Sequence, residues 1–93
     1  MKVVYTDRAW KDLELAFDWY EEQNPGLGLE FLDSVELTIS SIEHRPQLFA
    51  ISHKQFRRAL LRRFPFAIFY TLEEHSIVIH AVFDCRQDPK KMP

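Results

Sequence analysis

Up to Pro46 the apolar residues recur at steps of three and four, and after the loop that follows Pro46 they recur at steps of two, so the chain splits into a helical part and a strand part. In the first part Ala9, Leu13, Ala16, Phe17 and Tyr20 form one helical stripe. Leu32, Val35, Ile39 and Ile42 form a second, broadened by Phe31. Between the stripes lies Asn24-Pro25-Gly26-Leu27-Gly28, which holds both of the chain's glycines and a proline that cannot continue a helix. A connection this short makes the two helices an antiparallel hairpin. Ahead of them, Lys2 to Tyr5 is a β-branched and aromatic run that predicts a first strand, and Thr6 or Asp7 supplies the oxygen that caps the first helix.

The second part predicts three strands, Phe56 to Arg63, Phe66 to Leu72 and Ser76 to Phe83, with a loop around Pro46 to Ser52 before them. Pro65 separates the first two strands and Glu73-Glu74-His75 the next two, which favours hairpins. The expected fold is therefore α+β: an N-terminal strand and an antiparallel helical hairpin packed on a mainly antiparallel sheet of three to four strands. With 93 residues, such a chain buries only about 65% of its unfolded surface, so residues 1–93 are read as one domain. The middle strand is apolar on both alternating faces, with Phe66, Ile68, Tyr70 and Leu72 on one and Ala67, Phe69 and Thr71 on the other. One face suits the helices, and the other calls for a cover, for which a partner is one candidate.

Several functions drop out on composition. His44, His53, His75, His80 and Cys85 show no metal-ligand spacing, so neither metal nor cofactor is expected. The two glycines cannot make a phosphate-cradling loop, and no GxSxG elbow exists. The longest apolar run, Phe64 to Tyr70, is too short to cross a bilayer, and the N-terminus lacks a signal-peptide pattern. A lone cysteine agrees with a reducing compartment, so a cytoplasmic protein is expected.

Charge is where the sequence points to a partner. Residues 1–43 hold ten acids against three bases, whereas residues 44–72 hold six bases and no acid. Within the basic half, Lys54, Arg57, Arg58, Arg62 and Arg63 interleave with Phe56, and Arg86 follows the last strand. Cations and an aromatic on a sheet surface can grip phosphates or an acidic segment, and a solvated strand face has the same composition. Alternation would send Arg57 and Arg63 to one face and Arg58 and Arg62 to the other. Leu15 and Trp19 stand off the main stripe of the first helix, as an exposed docking patch or as part of a wide buried arc. His80, alternating between Val78 and Val82, is expected to be structural, and Cys85 an ordinary small residue.

Taken in order, Ala9 with Asp12-Leu13, Trp19-Tyr20, Asn24-Pro25-Gly26-Leu27-Gly28 with Phe31, Pro46 with Phe49, Arg57-Arg58, Arg62-Arg63-Phe64-Pro65-Phe66 leading to Tyr70, and Ala81-Val82-Phe83 with Arg86, Asp88 and Pro89 resemble the ParE branch of the RelE/ParE toxin superfamily. The resemblance covers nearly the whole chain. It implies a type II toxin–antitoxin (plasmid stabilization) toxin with a helical hairpin on an antiparallel sheet, neutralised by a cognate antitoxin whose disordered C-terminal part folds onto it. For ParE-like members it implies inhibition of DNA gyrase without nuclease chemistry. For RelE-like members it implies ribosome-dependent cleavage of messenger RNA, and the cations here would then be Lys54, Arg57, Arg62, Arg63 and Arg86. No tyrosine follows Tyr70 to serve as terminal acid, which favours the binding-type toxin. Asp84 stands where the ParE-like ending has a histidine, and Met92 where it has a tryptophan, so an inactive chain kept for antitoxin binding is a third reading. The expected contact set for target or antitoxin is Arg57, Arg58, Arg62, Arg63, Arg86 and Trp19. No membrane contact is expected, nor sequence-specific DNA binding by this chain itself.

Overall fold

A computed structural model describes residues 1–93. Strand β1 (Lys2–Tyr5) leads into helix α1 (Asp7–Gln23), and helix α2 (Leu27–His44) returns beside it. Strands β2 (Ile51–His53), β3 (Phe56–Leu60), β4 (Phe66–Leu72) and β5 (Ser76–Asp84) follow, and a 3-10 turn over Pro89–Lys91 ends the chain. The sheet has five strands in the order β1-β5-β4-β3-β2. All neighbours are antiparallel except β1, which pairs parallel with Ser76 to Ile79 of β5. The α+β class and the helical hairpin are as expected. The fifth strand is the addition: Ile51–His53 pairs with β3 inside a stretch whose sequence predicts only loop.

Local chemistry explains the helix ends. Thr6 is the cap of α1, its hydroxyl accepting from the Ala9 amide at 3.2 Å and donating to the His80 carbonyl at 3.1 Å, so one side chain ties the helix to β5. At the hairpin the Glu21 carboxylate accepts from the Gly26 and Gly28 amides at 2.9 and 2.8 Å, satisfying donors that the start of α2 would leave orphaned. Gly26 has φ of 93°, a left-handed conformation that glycine adopts without penalty. A Cβ on Gly28 would lie 2.7 Å from Glu21 Cγ and 2.9 Å from the Phe17 ring, so the helices meet there through the missing side chain.

The hairpin buries Ala9, Leu13, Ala16 and Tyr20 from α1 and Phe31, Val35, Ile39 and Ile42 from α2 against Ala59, Ile68, Tyr70, Ile77 and Ile79 of the sheet. Phe31 is wholly buried and stands among Tyr20, Phe64 and Phe66 with ring centroids 4.9–5.4 Å apart. The second face of β4 holds its own small cluster, Ala67, Phe69, Ala81 and Phe83, with Phe56, Cys85 and Met92 packed on it. Of the candidate covers for this face, the chain supplies one itself.

A bulge re-aims the end of β5. Phe69 faces Ala81 while Tyr70 faces Ile79, so His80 is the extra residue and the alternation of side chains shifts by one beyond it. Val82 therefore joins the helix-side core, and His80 does not share a face with it, contrary to simple alternation. No helix is long and apolar enough to cross a membrane.

Candidate functional site

The cations that the sequence groups together are placed apart. Strand β3 stops at Leu60, so Arg62 and Arg63 lie in the turn before β4 and do not alternate with Arg57 and Arg58 as expected. Pro65 has no N–H for a ladder, and Arg63 turns left-handed with φ of 72°, which ends the strand early. Arg63 then pairs with Glu30 at 2.8 Å and lies over the Phe64 ring, while exposed Arg62 is held only by its carbonyl, which accepts from the Ser34 hydroxyl at 2.9 Å. Arg57 points to the helix side and donates to the Gln47 and Phe49 carbonyls at 3.1 and 2.7 Å. With the Tyr70 hydroxyl on the Pro46 carbonyl at 2.7 Å, it stitches the loop after α2 to the sheet, a structural task. Arg58 is exposed on the opposite side of β3. Lys54 sits at the tip of the β2–β3 hairpin with φ of 51°, across a shallow cleft from Met92 and Pro93.

Two members of the expected contact set do meet. Arg86 stacks over Trp19 at 5.5 Å, at one end of a groove of about 370 Å³ between α1 and the far half of β5. The helix contributes Arg8, Asp12, Leu15, Ala16, Trp19 and Tyr20. The sheet and the turn after it contribute Phe66, Val82, Phe83, Asp84, Arg86 and Gln87. Leu15 is 57% exposed and Trp19 47%, so of the two readings of this pair the open patch holds. The groove exists because β1 covers β5 only as far as Ile79. Beyond that point the strand edge faces the helix, and the Asp12 carboxylate accepts from the Val82 amide at 3.0 Å in place of a neighbouring strand.

The charges in the groove come in opposed pairs. Arg8 lies 3.9 Å from Asp12, and burial pushes the Asp12 carboxyl up against the lowering pull of the Val82 amide and Arg8. Arg86 meets Asp84 through two parallel bonds, Nε to Oδ1 at 2.9 Å and a terminal nitrogen to Oδ2 at 2.8 Å, with its own backbone amide on Oδ1 at 2.9 Å. These bonds hold the Asp84 carboxyl below the ordinary carboxylate range and raise Arg86 further. Sequence reasoning named Trp19 and Arg86 but left out Arg8, Asp12 and Asp84 as site residues. Only the i,i+4 spacing of Arg8 and Asp12 signalled any part of this arrangement.

These elements, the helical hairpin on a sheet whose β1 runs parallel to β5, match known proteins. The model of the ParE toxin of the type II toxin–antitoxin system parDE matches residues 3–89. The chain belongs to the ParE toxin family. A solved structure described as the chromosomal ParDE TA system from P. aeruginosa has the same fold as this ParE-family chain, with a TM-score of 0.80 at 19% identity, over 90% of this chain and 95% of that one. No curated protein matches the sequence. No three His, Cys, Asp or Glu side chains of the ParE-family chain come together as metal ligands.

Away from the groove, His80 of this ParE-family chain sits in a polar chain on the outer face. Thr71 donates its hydroxyl to Glu73 at 2.9 Å and lies 2.8 Å from His80 Nε2, so neutral His80 must donate from Nε2 to the same oxygen. Phe56 packs edge-on against the ring at 5.0 Å. Burial lowers the His80 pKa, against a smaller raising pull from Glu73. A histidine depressed in the fold takes up its proton first in the unfolded chain, so its contribution is fully present above the unfolded value of about 6.5 and is lost as pH falls through the lowered folded value. Urea melts from pH 7.5 to 5 are expected to show a declining midpoint, and His80→Gln should flatten that decline. An unchanged acid limb in the variant would mean that His80 titrates alike in both states.

Proposed function

We propose that this chain is a toxin that acts by binding, with DNA gyrase as its target, and that a cognate antitoxin silences it by occupying the groove between α1 and β5. The observation that carries the binding mode is the dispersal of the cations. Cleaving RNA through its own 2′-hydroxyl requires several cations to converge on one phosphate beside a proton acceptor and a donor. Here Arg57 is tied to the loop carbonyls, Arg63 to Glu30 and Arg86 to Asp84, each at a different place on the molecule. Membership of the ParE family supports the antitoxin partner. The groove supports its seat, because exposed Trp19 is the kind of aromatic anchor that dominates protein interfaces, and exposed Leu15 extends the apolar surface beside it. The action belongs to the cytoplasm, where the lone Cys85 stays reduced.

The test is to induce the chain alone and with the protein encoded beside it. Growth arrest relieved by co-expression, inhibition of gyrase supercoiling by the purified chain, and intact ribosome-bound message are the expected results. Site-specific cuts in translated message that vanish with Arg86→Ala would establish the nuclease instead. A chain that binds its antitoxin but leaves growth and supercoiling untouched would be a toxin-fold partner without toxicity.

A further inference from the structure

Three features of the groove, taken together, describe what fits it. The first is main-chain geometry. Along β5 the Cys85 amide turns toward β4 and donates to the Pro65 carbonyl at 2.8 Å, while the Val82 amide turns away from β4 to Asp12. Because main-chain groups alternate in direction along a strand, the Val82 carbonyl and the Asp84 amide point into the groove as well. An extended segment laid there would meet an acceptor and a donor at strand spacing, as in recognition by strand addition.

The second feature is the wall opposite that edge, where Leu15, Ala16 and Trp19 are apolar. The third is the charge balance. Each arginine has a carboxylate of the chain itself beside it, Arg8 with Asp12 and Arg86 with Asp84, and the Asp84 pair is bidentate. A bidentate pair leaves an incoming carboxylate to compete with one already seated at 2.8–2.9 Å. Arg86 therefore lies with one face on Trp19 and its charge balanced by Asp84, so that its remaining N–H groups meet a partner as part of a neutral pair.

We propose that the groove takes an extended protein segment with uncharged, apolar side chains, and that Asp84 sets this choice by neutralising Arg86. The proposal rests on the groove being a docking site and adds the chemistry of its occupant. It replaces the expectation that Arg86 meets an anionic partner with the opposite one.

Two short fluorescein-labelled synthetic peptides test it, alike in alternating valine and leucine but with serine in one and glutamate in the other at the intervening positions. For the native chain, the serine peptide is expected to bind more tightly than the glutamate peptide, with an affinity that barely changes between low and high salt. Asp84→Asn should strengthen the glutamate peptide by about tenfold or more at low salt, the size of one charge-assisted contact, and high salt should erase the gain. Arg86→Gln should do the reverse and weaken the glutamate peptide, which keeps the test decisive if the Asp84 variant folds poorly. The proposal is overturned if the native chain prefers the glutamate peptide, if neither variant alters the preference, or if neither peptide binds. An antitoxin complex that is lost on Trp19→Ala, together with failed peptide selectivity, would sink the charge argument alone. An antitoxin complex indifferent to Trp19→Ala would sink the groove as the antitoxin seat.

Discussion

Phe31→Ala is expected to cost about 3–5 kcal/mol, a large fraction of the stability of a domain whose total is on the order of 5–15 kcal/mol. Phe31 is 0% exposed and is the one α2 ring that touches Tyr20 of α1, Phe64 of the turn and Phe66 of β4. Its removal takes the ring contacts that join α2 to α1, to the turn and to β4, and it leaves a cavity walled by Tyr20, Phe64 and Phe66. Leu37, on the same helix but 70% exposed, is the control, because Leu37→Ala should change stability by less than about 0.5 kcal/mol. Urea unfolding followed by circular dichroism measures both. A Phe31→Ala loss below about 1 kcal/mol would mean that the aromatic cluster repacks and that the core is anchored elsewhere.

The second large effect is expected at Trp19. Trp19→Ala removes the plate on which Arg86 rests and the widest apolar surface of the groove, while its 47% exposure limits the effect on folding. Buried tryptophan anchors at interfaces are worth about 2–4 kcal/mol, so antitoxin affinity should fall roughly 30- to 1,000-fold with the melting curve little changed. Arg58→Ala and Arg62→Ala test the alternative, since both residues are exposed and stand on β3 and the turn after it, away from the groove. If these two substitutions abolish binding and Trp19→Ala does not, the antitoxin sits over the basic region instead. Arg57→Ala has a different signature, a loss of stability through the freed carbonyls of the 47–49 loop.

Much of the architecture is legible in the sequence because the information is local. The three- and four-residue steps of α1 and α2 specify which side of each helix is buried. The glycine-proline turn specifies where the chain reverses, and the doubly apolar Phe66 to Leu72 marks the central strand. Each of these depends on neighbours within a few residues, so each survives translation from pattern to fold. The short strand Ile51–His53 was not legible, because it is exposed along its length and carries no apolar alternation. It is a strand only because β3 offers it hydrogen bonds.

The site was readable only as a set of residue types. Arg57, Arg58, Arg62 and Arg63 look like one patch in the sequence, but the early end of β3 and the left-handed turn at Arg63 disperse them to different partners. The bulge at His80 likewise undid simple alternation along β5, shifting Val82 to the core. Trp19 and Arg86, 67 positions apart in the chain, meet because β1 is too short to cover β5 and α1 crosses the uncovered edge. Hydrophobic spacing encodes which residues a segment buries, since burial depends on the segment's own period. Which charges end up adjacent depends on where strands stop and which edges stay open, and those are properties of the packed whole.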